Sequence, residues 1–524
     1  IYPFLCQPIY PGDTFNCKAE VFMRAMPLLA PVMHNVDAHL YFIFVPDRLV
    51  WNENKKRDFK VFITGGEDGL QNPTLPYFTY SNLYQDGSLD HHEVEHRSLL
   101  DHMGVPTVDK GVAIHTSQND KINALPFRAY QFIWNELFRN QNVQNEIEFS
   151  YDAGEIAEAD YTRLFELRKK CWEKDYFTSC LPFAQRGEAV KLPIDFDVSG
   201  SGNVSAPVKV NAGKVTGESV SHGLISYASS NGRTAVGFGA TSIAGTSALE
   251  LEGTATINAS QIAFTGLSVG TINDFRYCLR LQQWLENNAR CGSRYIEQLL
   301  AHFGVTSSDA RLQRPELLGG GKIPLLFTDV EQTSYGQGSS DNVLGDLGGK
   351  GTLYGRTSGF KKYFEEHGIL FGLITIIPRT SYSQGIPRVW TAFDKTDWYF
   401  PEFANLGEQA VLNKELYFDP SSLRTIGNSN SPDSVFGYQG RFTELRYIPS
   451  SVHGEMRSDL MYWHFGRIFD SPPALNAEFV AANTQARCFA LSDVVDSGYD
   501  PFVCQIHLDI KAVRPLPKYA VPTL

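Results

Sequence analysis

The feature that most restricts the fold of this chain is a pair of alternating segments near its two ends. In "FNCKAEVFM" every odd position from Phe15 to Met23 is apolar, with Asn16, Lys18 and Glu20 between them. In "FVCQIHLDIKAV", residues 502–513, every even position is apolar. A period of two predicts strands with one buried face and one solvent-facing face. Because such strands lie near both ends, we predict one sheet system that closes the whole chain, rather than two tandem domains.

Two further segments are apolar almost without interruption. "HLYFIFVP" at 39–46 ends with Pro46, and "ILFGLITII" at 369–377 is followed directly by Pro378. Both patterns predict strands that are buried on both faces. The second is far shorter than the roughly 20 apolar residues that span a bilayer. We therefore predict a soluble protein with no membrane insertion.

Helical periodicity appears only between these strands. "LPFRAYQFIWNELFRN" at 125–140 and residues 271–289 place apolar residues at helical spacing. In the second helix we expect a core-facing stripe formed by Ile272, Phe275, Leu279 and Leu285. A third helical signal runs to Gly304, a residue type that commonly ends helices.

Two glycine-rich segments differ from their surroundings. Residues 198–264 are rich in Gly, Ser, Thr, Ala and Val, and parts of them alternate as strands do. We predict that they form a small β-rich insertion standing away from a main body made of residues 1–197 and 265–524. Residues 334–359 are predicted to be an irregular loop.

Net charge limits the range of partners. The 524 residues carry a formal charge of −12, whereas a dedicated reader of duplex DNA is usually basic. Only local basic clusters could face a nucleic acid. The most distinctive is the proline-rich arm at 510–522, where Lys511, Arg514 and Lys518 precede Tyr519. Such an arm suits either a neighbouring subunit or a sugar–phosphate backbone, with Tyr519 stacking on a base.

The stretch "HHEVEHRSLLDH" contains the H-E-x-x-H spacing of zinc proteases in His92, Glu93 and His96, followed by His102. A zinc site needs both histidines on one stable helix, and this stretch supports a helix poorly. Ser98 is a typical N-cap and predicts a new short helix at 99–103, ended by Gly104. We interpret the histidines as an exposed polar loop and keep a zinc hydrolase as an alternative.

No other motif supports catalysis. "GDLGGKGT" and "LLGGGKIP" resemble phosphate-binding loops, but neither follows a buried strand and leads into a helix. We predict no enzymatic activity, no metal and no cofactor. A free-standing carbohydrate-binding β protein is the second alternative.

Several longer strings have a common likeness. They include "YFTSCLPFAQRGEAVKLPI" at 176–194, "GYQGRFTELRYIPSSVHGEMR" at 437–457 and "KAVRPLPKYAVPTL" at 511–524, together with residues 10–51, 281–321 and 387–417. In this order they resemble the major capsid proteins of Microviridae, the small single-stranded DNA bacteriophages, in their gokushovirus-like branch. The resemblance covers nearly the whole chain apart from the two glycine-rich segments.

The resemblance implies a mainly β protein with a single eight-stranded antiparallel viral jelly roll and long, partly helical loop insertions. It implies a sixty-copy T=1 shell, assembled in the host bacterial cytoplasm around circular single-stranded DNA. Other phage structural, scaffolding and pilot proteins and a host-surface receptor are the further partners it implies. The insertion at 198–264 falls where such proteins carry a loop that builds threefold protrusions, so we expect it to contribute to host attachment.

Two groups of residues are the candidate sites. We expect Lys511, Arg514, Lys518 and Tyr519 to face the packaged DNA. Aromatic side chains anchor interfaces at low entropic cost, so Trp398, Tyr399 and Phe400 are candidates for contacts between subunits. The same three residues would also suit a buried core, and the sequence leaves both interpretations open.

Overall fold

A computed structural model describes most of the chain. The described residues are 1–52, 58–65, 70–79, 98–107, 121–188, 190, 194–195, 224–229, 232–237, 268–269, 272–291, 295–304, 313–333, 344–418, 433–483, 485–491 and 500–516. By its contacts the chain divides into two units. The first unit comprises residues 1–187 and 285–524, and the second comprises residues 188–284.

Eighteen strands can be described. In chain order they are β1 Tyr2–Ile9, β2 Thr14–Ala25, β3 Val36–Pro46, β4 Tyr77–Thr79, β5 Lys121–Asn123, β6 Ile194–Asp195, β7 Leu224–Ser229, β8 Gly232–Gly237, β9 Ser268–Val269, β10 Glu316–Glu331, β11 Leu347–Arg356, β12 Phe360–Tyr363, β13 Gly368–Pro378, β14 Ser381–Tyr382, β15 Glu408–Leu412, β16 Val435–Gly440, β17 Ser450–Ser451 and β18 Phe502–Val513.

Helices occupy the connections. The α-helices are Asp47–Val50, Asp58–Thr64, Leu99–His102, Leu125–Ile133, Tyr161–Phe165, Ile272–Cys291, Tyr295–Phe303, Asn413–Leu416 and Ala477–Val480. A π-helical turn, Trp134–Phe138, continues the fourth of them. Short 3₁₀ helices are Glu158–Asp160, Arg388–Thr391, Lys395–Asp397, Pro401–Phe403, Thr443–Leu445, Gly454–Arg457, Met461–Trp463 and Ala486–Cys488.

The first unit is built on two antiparallel sheets. The first sheet has the order β1-β13-β3-β10, and the second sheet is formed by β10, β11, β2, β12 and β18. Strand β10 joins them, because residues 316–325 pair with β3 and residues 326–331 pair with β11. Strand β18 pairs with β2 along its full length, from Phe502 opposite Ala25 to Val513 opposite Thr14. The predicted eight-stranded jelly roll, closed by strands near both ends, is confirmed.

The main core lies between the two sheets. Every second residue of β2 from Phe15 to Met23, and of β3 from Val36 to Phe44, is buried there. The apolar face of β18 packs on the same core through Phe502, Ile506, Leu508 and Ile510. Each large apolar side chain buried in this way contributes about 1.5–3 kcal/mol.

A second core covers the other face of the first sheet. Ile43 and Val45 of β3, and Ile369, Phe371 and Leu373 of β13, pack against the helix Leu125–Ile133 and the residues around it. Strands β3 and β13 are therefore buried on both faces, as their continuous apolar sequences predict. The second sheet has only one buried face, as the alternation of β2 and β18 predicts.

Two predictions for the connections are wrong. Residues 347–356, predicted to be irregular, form β11 between β10 and β2; residues 334–343 lie outside the described part. In the helix Ile272–Cys291, Phe275 and Leu279 of the predicted core stripe are about half exposed in the single chain. Amphipathic spacing thus identified the helix without identifying what covers it.

The predicted short helix after the histidines is confirmed. Ser98 caps Leu99–His102, its hydroxyl accepting a hydrogen bond from the Asp101 amide at 3.4 Å, and Gly104 follows with a positive φ of 84°. His92, Glu93 and His96 lie outside the described residues. Gly304, with φ of 67°, likewise ends the helix Tyr295–Phe303.

Only part of the predicted insertion can be described. In the second unit, β7 and β8 form an antiparallel hairpin, and β6 pairs with β9. The remainder of 198–264, including its proposed protrusion, lies outside the described residues. Throughout the described chain, no helix has both the length and the apolar character needed to cross a membrane.

Backbone crowding at one glycine predicts a stability change. A Cβ at Gly320 in β10 would lie 2.2 Å from the carbonyl oxygen of Leu40, whereas one at Gly348 in β11 would meet nothing closer than 3.8 Å. We expect Gly320→Ala to destabilise the subunit by about 1–3 kcal/mol, because backbone must shift to admit the methyl group. Gly348→Ala is the matched control and should be nearly neutral. Denaturant midpoints of the two variants test this, and equal midpoints would contradict it.

Candidate assembly surface

A surface rich in exposed aromatic residues lies at residues 388–406, which we call the aromatic segment. Trp398, Tyr399 and Phe400 are 65%, 56% and 49% exposed in the single chain. Trp390 and Phe393 in the same segment are also exposed. The structure thus excludes the interpretation that Trp398, Tyr399 and Phe400 are core residues of the subunit.

The local sequence explains why these side chains are not buried. The segment forms three short 3₁₀ helices, two of which begin at or directly after a proline, Pro387 and Pro401. The third, Lys395–Asp397, is held by reciprocal capping between Asp394 and Asp397. Short turns of this kind do not repeat one apolar face over several turns, so their large side chains point in several directions.

Arg388 fixes the start of the aromatic segment to the body of the subunit. Its guanidinium donates a 2.8 Å hydrogen bond to the Ala410 carbonyl and lies 3.1 Å from the Glu415 carboxylate. A second carboxylate, that of Glu444, lies at 3.7 Å. The side chain of Glu415 is almost fully buried, so its charge is compensated mainly inside this network.

The network around Glu415 is completed by hydrogen bonds. The carboxylate accepts 2.8 Å and 3.0 Å hydrogen bonds from the Tyr176 hydroxyl and the Leu412 amide. Burial nevertheless raises the pKa of Glu415, although Arg388, Tyr176 and Leu412 all oppose that shift. Arg388 is therefore one of the groups that favour the charged form of this buried carboxylate, together with the Leu412 amide and the Tyr176 hydroxyl.

The middle of the segment rests on Phe442. This buried phenylalanine has a positive φ of 59°, alone among the non-glycine residues described, and its ring makes an edge contact with Tyr399, the centroids 5.3 Å apart. The adjacent Arg441 donates a hydrogen bond to the Thr396 carbonyl. A left-handed conformation costs roughly 1 kcal/mol, and here it accompanies the contact of the Phe442 ring with Tyr399.

The C-terminal arm is only partly described. Lys511 is exposed at the end of β18. The Arg514 guanidinium donates a 3.0 Å hydrogen bond to the Pro8 carbonyl, lies 3.6 Å from the buried Asp13 carboxylate and covers the Phe15 ring. Arg514 thus ties the start of the arm to the jelly roll. Lys518 and Tyr519 lie outside the described residues.

Among the described residues, no group of three or more His, Cys, Asp or Glu side chains is suited to hold a metal ion. His102, the last histidine of the stretch with zinc-protease spacing, packs on the Tyr2 ring with centroids 4.9 Å apart, and burial lowers its pKa.

Sequence reasoning missed Arg388, Glu415 and Phe442. Arg388 and Glu415 are 27 residues apart, so no local spacing rule connects them. A left-handed phenylalanine has no sequence signal either, because the turn that imposes it depends on the surrounding packing.

Comparisons with known proteins agree over the full chain. A family model described as Capsid protein (F protein) matches residues 1–524. Capsid protein VP1 of Bdellovibrio phage phiMH2K is 35% identical, the alignment covering 99% of this chain and 91% of that protein. VP1 of Chlamydia phage 1 is 32% identical, covering 100% and 92%. VP1 of Spiroplasma virus 4 is 29% identical, again covering 100% and 92%.

Loss of Arg388 should destabilise the subunit in a pH-dependent way. We expect Arg388→Met to cost about 3 kcal/mol at neutral pH, because the buried Glu415 carboxylate loses its cation. The folded-state pKa of Glu415 would then lie still further above its unfolded value. Stability is therefore lost as pH rises through that pKa, and the deficit should shrink on acidification.

Denaturant midpoints measured from about pH 8 to about pH 4 provide the measurement. Arg446→Met removes an exposed arginine near the same surface and serves as the control, with an expected change within about 0.5 kcal/mol. A deficit for Arg388→Met that is equal at every pH would contradict the role assigned to Glu415.

Proposed function

The chain belongs to the capsid protein (F protein) family and is a structural component of a virion, and we propose that sixty copies form a T=1 shell around circular single-stranded DNA. The three similar proteins reported above are all named capsid proteins, so the function is structural and not enzymatic. Neither a zinc hydrolase nor a free-standing carbohydrate-binding protein gains support. We also propose, on the sequence resemblance, that the chain belongs to the gokushovirus-like branch of Microviridae.

The observation that carries the assembly proposal is the exposed but firmly anchored aromatic segment. A soluble monomer seldom exposes a concentrated apolar surface, and such a surface usually marks an interface. Here Arg388 holds the start of the segment and Phe442 packs against Tyr399, so less conformational entropy is lost when a neighbour covers the exposed rings. In a closed symmetric shell each such contact is repeated on every copy.

Contact with the genome would be electrostatic and largely independent of sequence. With a net charge of −12, the chain must concentrate its basic residues wherever it meets phosphate. We propose that Lys511, Lys518 and Tyr519 of the C-terminal arm face the DNA. Arg514 contacts Asp13. We propose that it holds the arm in position for DNA contact and lies next to the DNA-facing residues.

The main body is proposed to be residues 1–197 with 265–524, carrying the insertion 198–264 as a threefold protrusion that contacts a host receptor. Support comes from the composition of the insertion, from the hairpin β7–β8 within it and from the family's placement of a variable loop there. Scaffolding, pilot and other structural phage proteins are the further proposed partners. Assembly is proposed to take place in the cytoplasm of the host bacterium.

Assembly should depend on the exposed ring of Trp398. Trp398→Ser should leave the subunit folded, because the side chain is 65% exposed, and should lower the yield of shells by about tenfold or more through loss of an interface anchor. Trp398→Phe keeps an aromatic contact and is the matched control. Sedimentation and electron microscopy report shell yield, while near-UV circular dichroism reports folding. Normal shell yield from the serine variant would contradict the assignment.

Deletion of residues 200–262 tests the insertion. We expect shells to assemble at nearly normal yield, because the jelly-roll core lies wholly in other residues, and adsorption to the host to fall. Shortening the other glycine-rich stretch, residues 335–342, is the control and should leave adsorption unchanged. Normal adsorption by particles that lack 200–262 would show that host attachment lies elsewhere.

A further inference from the structure

The two sheets of the jelly roll differ in what covers their outer faces. The first sheet is packed on both sides, by the main core and by the helical core. Among the residues that the structure describes, the second sheet is packed only on its inner side, through residues such as Val21 and Leu353. We call the outer side of β2, β11, β12 and β18 the open sheet face.

The open sheet face is basic although the chain is acidic. Its outward-pointing charged residues, taken from the strand registers, are Lys18, Arg24, Lys350, Arg356, Lys361, Lys511, Glu20 and Asp509. Six cations against two carboxylates give a formal charge of +4 (6 − 2), whereas the whole chain carries −12. Among the ion pairs of the described residues, only Arg356 with Glu20 joins two of these groups.

Exposed aromatic rings stand among these cations. Tyr354 of β11 lies directly opposite Phe22 of β2, and both side chains point outward. Tyr363 of β12 lies opposite Thr14 on the same face. The Arg24 guanidinium lies over the Phe22 ring, 5.2 Å from its centroid. Neighbouring strands are about 4.8 Å apart, so rings and cations alternate at close spacing over the sheet.

We propose that the open sheet face is a binding surface for single-stranded nucleic acid in which bases stack on Tyr354, Phe22 and Tyr363 while phosphates meet the surrounding lysines and arginines. This inference rests on the proposed function, because it names the part of the subunit that would hold the genome. Sequence-independent binding of single strands uses this combination of rings and cations. A duplex would offer phosphates without free base faces, so it would use the cations alone.

The open sheet face is continuous with the C-terminal arm. Lys361 of β12 and Lys511 of β18 both lie opposite Asn16 of β2, one on each side. The arm continues from β18 two residues later. A nucleic-acid strand that crosses β2 at Asn16 would therefore meet both lysines, of which Lys511 also belongs to the C-terminal arm.

A polyanion fits this surface better than a second protein. An interface core between proteins is usually depleted of lysine, whereas Lys18, Lys350, Lys361 and Lys511 are all exposed here. The charge excess also has the opposite sign to that of the chain as a whole, so it attracts phosphate at the point where the remainder of the subunit repels it.

Ultraviolet cross-linking of wild-type particles is the first test. We expect peptides that contain Tyr354, Phe22 or Tyr363 to be linked to packaged DNA, with no link at Tyr277, an equally exposed tyrosine outside the face (68% against 72% for Tyr354). Particles that hold DNA but link it only through other regions would overturn this inference and leave the proposed function intact. Particles that hold no DNA would overturn both.

Binding by the full-length subunit is the second test, with a fluorescent oligothymidylate as probe. Tyr354→Ala should weaken binding about tenfold, and Tyr277→Ala should not. The triple variant Lys18→Gln, Lys350→Gln, Lys361→Gln should bind with a weaker salt dependence. The slope of the logarithm of the binding constant against the logarithm of the salt concentration should fall in magnitude by about 2. Lys60→Gln, Lys121→Gln, Lys169→Gln changes the charge equally at exposed sites elsewhere and is the control.

Equal effects of the two lysine triples would overturn the assignment to this face. Chemical acylation of lysines in assembled particles tests the alternative that a second protein, and not DNA, covers the open sheet face. If Lys18, Lys350 and Lys361 are protected equally in empty and DNA-filled shells, a protein covers the face and the inference is wrong. Protection that appears only in filled shells would support it.

Discussion

The structure depends on the requirement that β3 and β13 be covered on both faces. These two strands carry apolar side chains toward both sides of the first sheet. If either side were exposed, the subunit would lose the stabilisation from several buried side chains, which is about 1.5–3 kcal/mol for each. The second sheet covers one side, and the helix Leu125–Ile133 with its neighbours covers the other. The jelly roll and its helical insertions therefore form one packing solution, not a barrel with independent additions.

The same requirement explains where the functional surfaces lie. Because β3 and β13 at the centre of the first sheet are enclosed on both faces, that part of the sheet is closed to partners, whereas the open sheet face and the loops at the ends of the strands are accessible in the described structure. The aromatic segment, which is the proposed contact between subunits, belongs to those loops, and Arg388 and Phe442 hold it in place. The proposed nucleic-acid surface is the open sheet face. A structural protein can thus separate contacts with its own copies from contacts with its cargo on one rigid body.

The sequence predicted the fold better than it predicted the surfaces. Alternation in β2 and β18 and continuous apolar runs in β3 and β13 are local properties, so they could be read directly. Strand β11 was missed because its glycines resemble a loop; at Gly349 and Gly351 a Cβ would meet atoms closer than 3.0 Å, so only a bare backbone fits. The stripe with Phe275 and Leu279 has helical spacing, but spacing does not reveal whether the apolar face meets a core or a partner.

What the sequence by itself determined is the strands β2, β3, β13 and β18, the number of faces each of them must bury, the short helix that follows Ser98, and membership in a capsid family through a collinear likeness. What only the tertiary structure decided is which distant residues meet: Arg388 with Glu415, Phe442 with Tyr399, and Lys361 with Lys511 on either side of Asn16. The physical reason is that periodicity reflects the environment of one strand or helix at a time. Contacts between elements depend on register and on the packing of the whole chain, which no single segment encodes.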